Sequence, residues 1–104
     1  MWFAVNLLFE SVHAPQAQQE SLWEERLVLL QAETETRAAA KGELLGREEE
    51  HEYESATGDR VRWTFRRVER VYPIDTEMLG DGTELFSRFL RSSEVASLLT
   101  PFAE

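Results

Sequence analysis

No cysteine occurs among the 104 residues. This excludes disulfides, thiolate metal sites and a cysteine nucleophile, and with them the disulfide-stapled secreted scaffolds; a reducing cytoplasm is the expected home. Long apolar runs are also missing. Met1 to Phe9 is apolar, but it lacks a basic leader and a small-residue cleavage site, and it falls well short of the roughly 20 apolar residues that cross a bilayer. It reads as a strand. Basic charge is scarce too: 11 Lys and Arg stand against 20 Asp and Glu, a formal net charge of -9. Such a surface repels phosphate backbones and anionic membranes at long range, so neither nucleic acid nor membrane is an expected partner. There is no glycine-rich phosphate loop, dinucleotide fingerprint or nucleophile elbow, so no cofactor and no enzymatic activity are expected.

What is present suffices for one folded domain over residues 1–104. Hydrophobic residues make up 42% of the chain and include three Trp, six Phe and two Tyr, enough apolar side chain to offset the entropy of ordering the backbone. Charge is uneven. Residues 1–56 carry 12 acidic and 4 basic side chains (net -8), whereas residues 57–104 carry 8 and 7 (net -1).

The pattern along the chain predicts an α+β domain. In residues 2–12 the odd positions Phe3, Val5, Leu7 and Phe9 form an apolar face, and Trp2, Ala4 and Leu8 make the other face largely apolar as well. That pattern predicts a central strand. Residues 13–21 predict a mobile hairpin connection, and residues 22–32 a second strand. Glu33 to Tyr53 follows helical spacing, with Thr34 or Thr36 as a cap and a narrow packing face at Ala38 and Gly42. A turn around Gly58 leads to a third strand, in which Val61, Trp63 and Phe65 alternate with polar residues until the phase slips at Arg66 and Arg67, predicting a β-bulge. Pro73 to Gly82 predicts a loop with a single helical turn at Thr76 to Leu79. Thr83 to Arg91 alternates as a fourth strand. A short helix follows, capped by Ser92 or Ser93 and ended by Pro101. The expected fold is a four-stranded, mainly antiparallel sheet (β-β-α-β-β-α) with one long helix packed on one face. Antiparallel pairing of the third strand with the first would give the strand order 2-1-3-4.

Taken together, the segments WFAVNLLFES, LWEERLVLLQAE, GREEEHEYESATGDRVRWTF and DGTELFSRFLR resemble a bacterial family known only as domain of unknown function 4288. The resemblance covers nearly the whole chain and implies a small stand-alone protein with this element order. It transfers no active site. The Gln-rich loop at 13–21 and the tail after Ser92 depart most from the family pattern.

Several clusters invite a chemical reading. Glu48 and His51 stand at i and i+3, a spacing used by di-metal carboxylate sites, but such a site needs a second Glu-x-x-His and further carboxylates. The only other histidine, His13, is expected in a loop. Arg60, Arg62, Arg66, Arg67 and Arg70 crowd the third strand, where pairing with Glu24, Glu25 or Glu84 accounts for them better than nucleic acid does. Glu10, Ser11 and His13 do not form a catalytic triad, because adjacent strand residues point to opposite faces. Trp63 is assigned to the core. Trp2, on the opposite parity from Phe3 to Phe9, is the tryptophan expected to reach a partner.

The leading functional expectation is a protein-binding module whose acidic half meets a basic protein, an inhibitor of the immunity or antitoxin kind being its most concrete form. Glu48, Glu49, Glu50 and Glu52, with Trp2, are the expected partner-binding residues. The alternative is a homo-oligomeric structural or regulatory domain that pairs through a sheet edge.

Overall fold

A computed structural model describes residues 1–15, 21–76 and 78–100. The elements are β1 (Trp2–Ala14), β2 (Trp23–Gln31), α1 (Glu35–Glu48), β3 (His51–Glu54), β4 (Arg60–Ile74) and α2 (Ser92–Leu99). All strand pairs are antiparallel, and the sheet order is β2-β1-β4-β3. The architecture is α+β, and β1 and β4 are its two inner strands.

β1 is buried on both faces along most of its length, as its two-sided apolar pattern predicts. On one face Phe3, Val5, Leu7 and Phe9 meet α1 and form the core with Ala38 and Phe65. α1 lies close because its inward face is nearly free of side chain. A Cβ added at Gly42 would stand 2.9 Å from Val5 Cγ1, and one added at Gly46 would enter the ring of Phe65. The glycines cost helix propensity, yet they let the helix backbone rest on the sheet. Thr34 caps the helix, its Oγ1 accepting the Arg37 N–H at 3.2 Å.

The phase slip in β4 is a pair of irregularities. Asn6 faces Arg70 and Leu7 faces Val68, leaving Glu69 unmatched; Leu8 faces Arg67 and Phe9 faces Phe65, leaving Arg66 unmatched. The extra residues turn Val68 to the helix face together with Phe65 and Val71.

Three expectations need correction. The helix does not run to Tyr53: it spans 14 residues and ends at Glu48, and His51–Glu54 forms the edge strand β3. In the pattern His51, Glu52, Tyr53, Glu54 the two ring side chains alternate with acids, a strand period that the preceding helix-forming run hides. Thr83 to Arg91 is not a strand. It is an extended strap fastened by side chains: Tyr72 Oη donates to Glu84 at 2.6 Å, Arg70 donates to the Ser87 carbonyl, and Phe86 packs against Tyr72. The fourth strand is therefore β3, and the order β-β-α-β-β-α is filled by different segments. Finally, α2 starts at Ser92 with Arg91 as its N-cap, and Glu94 accepts the Arg91 N–H at 2.9 Å. The predicted turn at Thr76 to Leu79, the loop at 13–21 and Pro101 fall partly or wholly outside the described residues. Among the described residues no helix is long and apolar enough to cross a membrane.

Candidate functional site: the acidic edge

The glutamates singled out by the sequence lie together, but on a different scaffold. Glu48 closes α1, Glu49 is its C-cap, and Glu52 belongs to β3, which adds Glu54, a carboxylate the sequence did not single out. Among the described residues β3 pairs only with β4, through His51–Trp63 to Glu54–Arg60, and its other side is an open sheet edge. All four β3 residues are exposed, and the His51 and Tyr53 rings stack with centroids 6.2 Å apart. An acidic helix end thus continues into an acidic edge strand.

The members of this cluster are not equivalent. Glu50 is half-buried. One of its carboxylate oxygens accepts the Phe65 N–H at 2.8 Å and the other meets Arg62 Nη2 at 3.1 Å. It satisfies a β4 backbone donor just beyond the last residue that β3 pairs, where the ladder stops. Glu49 pairs with Arg26 at 3.3 Å, and Glu52 with Arg60 at 3.3 Å. Both pairs are exposed, a setting in which an ion pair contributes about 0–1 kcal/mol and a partner could compete for it. Glu48 and Glu54 make no ion pair among the described residues. Glu48 and His51 do not share a helix face, since α1 ends between them. No group of three or more metal-ligating side chains occurs among the described residues.

The arginine strip of β4 pairs with other acids than those expected. Arg60 and Arg62 reach Glu52 and Glu50, and Arg66 reaches Glu10 at 2.9 Å. The reason is strand order: β4 lies between β1 and β3, whereas Glu24 and Glu25 sit on β2, one strand further away. Glu10 is held below the usual carboxylate range, first by a hydrogen bond from Ser21 and then by Arg66, against an opposing effect of burial. Ser11, its sequence neighbour, is buried and engaged with the backbone of Leu22, which donates to Ser11 Oγ at 3.0 Å.

Trp2 does not join the acidic cluster. It faces Ile74, whereas β3 adjoins the part of β4 that faces Ser11 to Ala14. Nine residues of strand separate Trp2 from Ser11, roughly 30 Å. Trp2 is half-buried, as is Trp63, which packs against the core on the helix side. The tryptophan that stands out is Trp23, 52% exposed on β2. Leu27 and Leu29 lie on the same face of that strand, also exposed. Their shared odd parity was readable in the sequence. Their exposure depends on nothing being packed over that part of the sheet.

Neither a curated protein nor a solved structure matches this chain. The family model described as Domain of unknown function (DUF4288) matches residues 2–87, which take in β1 to β4, α1 and most of the strap, and the chain belongs to that family.

Proposed function

We propose that this chain is a protein-binding module, not an enzyme, that acts in the cytoplasm by receiving a basic protein at the acidic edge. An inhibitor of the immunity or antitoxin kind is the most concrete form of this reading. The observation that carries it is the open edge strand β3, whose exposed Glu52 and Glu54 continue the acidic end of α1 at Glu48 and Glu49. A partner there finds unpaired backbone groups beside negative charge, and a basic segment satisfies both at once. The same charge disfavours a second copy at this edge, because like charges meet across a self-paired strand.

The test begins with affinity capture from the native cell and mass spectrometry. The captured protein is then titrated by stopped flow against the wild type and against E48Q/E49Q/E52Q/E54Q, which leaves Glu50 untouched. Association by the variant is expected to slow at least about tenfold at low salt, and much less at physiological salt, where the screening length is about 8 Å. Equal association rates at every salt concentration would reduce the cluster to a solvated surface.

A further inference from the structure

On the opposite side of the sheet, Trp23, Leu27 and Leu29 form an apolar stripe on edge strand β2, 52%, 48% and 41% exposed, with Glu25 between them. Elsewhere in the same chain, α2 presents Val95, Leu98 and Leu99 at i, i+3 and i+4, one apolar helix face. α2 buries no residue and packs against no other element among the described residues. Phe89, just before it, is fully exposed. An apolar stripe without a cover and an apolar helix without a seat thus occur in one molecule.

The dimensions agree that something is left uncovered. A compact chain of this mass has an accessible surface of about 6,000 Å², and this one has 8049 Å². The radius of gyration is 16.5 Å, against about 13 Å for a compact domain of this length. We propose that the occupant of the stripe is a second copy of this chain: α2 of each protomer lies on β2 of the other, in a two-fold exchange of C-terminal arms.

Area and charge support this choice. The exposed apolar surface of Phe89, the α2 face and the stripe is on the order of 800 Å² for one arm on one stripe, and two-fold exchange doubles it to about 1,600 Å², the size of a standard stable interface. The arm from Arg88 to Leu99 carries two arginines and one glutamate, whereas β2 carries two glutamates and one arginine. Arg88 already reaches Glu25 at 3.7 Å within the chain, which fixes the start of the arm. Glu24 points to the helix face and pairs with Arg26 at 3.1 Å, so Glu25 is the acid of the stripe face that the partner's Arg91 would approach. α2 also lies beyond residues 2–87, so this association would be a property of this chain added to its family's domain.

The experiment is sedimentation equilibrium of the full chain, wild type beside L98D/L99D on the arm and W23S/L27S on the stripe. The wild type is expected at twice the 12.1 kDa chain mass. Each double variant should raise the dimer dissociation constant by at least about a hundredfold. The arm variant should keep the wild-type urea midpoint extrapolated to low protein concentration, since α2 contributes nothing to the core. Mixing the two variants should restore a heterodimer, because one intact arm then meets one intact stripe. A wild type that stays monomeric at tens of micromolar overturns the proposal, even if Trp23 proves to be covered by its own α2. So does a dimer that survives L98D/L99D, or a mixture that forms no heterodimer.

Discussion

Strand β2 ends the sheet on one side with Trp23, Leu27 and Leu29 exposed, whereas β3 ends it on the other with His51, Glu52, Tyr53 and Glu54. An unpaired edge must be managed, and the two are managed differently. β3 is four residues long and charged. β2 is nine residues long and apolar on its open face. The contrast separates charge from surface and greasiness from core: Glu50, at the acidic edge, is bound into the sheet, while the apolar side chains of β2 sit half outside it. Residue type alone would assign these roles the other way round.

The largest expected effect comes from what both edges share. Phe9 is fully buried, faces Glu24 of β2 and Phe65 of β4, and packs edge-on to the Phe65 ring at 5.6 Å. Phe9→Ala should destabilise the domain by about 3–5 kcal/mol, a large share of a typical total. Urea unfolding followed by both tryptophan fluorescence and circular dichroism should show both signals moving together. Separate transitions for the two signals would mean that the edges belong to different cooperative units.

The next effect tests the inversion itself. Glu50→Ala removes the acceptor for Phe65 N–H and the partner of Arg62, and should cost about 1–3 kcal/mol. Glu50→Gln, whose amide oxygen can still accept the backbone hydrogen, should recover part of that loss. Leu29→Thr on β2 should change the stability of the isolated chain by only about 0.5 kcal/mol. If Leu29→Thr proves the costlier, judged by denaturant midpoints at low protein concentration, the contrast between the edges collapses.

The smallest effect is a dependence on pH. Glu10 has a lowered pKa in the folded chain, so its contribution is present above its unfolded value, which lies near pH 4, and is lost as pH falls through the lower folded value. Wild type should lose slightly more stability than Glu10→Gln on acidification across that window, with equal losses in both proteins counting against the Arg66 and Ser21 contacts.

Much of the scaffold was readable from periodicity. β1 announces its burial on both faces, Ala38 and Gly42 announce a close helix, and the slip at Arg66 and Arg67 announces a broken ladder. The errors fall where one signal outweighs another. Helix-forming Glu and Arg before His51 mask a strand of four residues, and a short strand needs a neighbour more than a propensity of its own. Thr83 to Arg91 alternates like a strand but is held by Tyr72, Arg70 and Phe86 through side chains, which period alone does not distinguish from a backbone ladder. For the acidic edge, Glu48, Glu49, Glu50 and Glu52 were legible, whereas Glu54 and the inequality of the members were not. That Glu50 is occupied follows from the place where β3 stops.

The two unmatched residues of β4 carry one more consequence. Each shifts the strand by half a pleat, and two half-shifts make a whole one, so Val61 to Phe65 and Val71 to Pro73 keep the same facing despite the interruption between them. Like paired frameshifts in a gene, the irregularities cancel. Deleting Glu69 or Arg66 alone would remove one irregularity and leave each remaining residue opposite its present β1 partner, with its facing unchanged. Deleting both would shorten β4 by two residues and leave a regular ladder in which Val68 still faces Leu7 on the helix side, together with Phe65 and Val71.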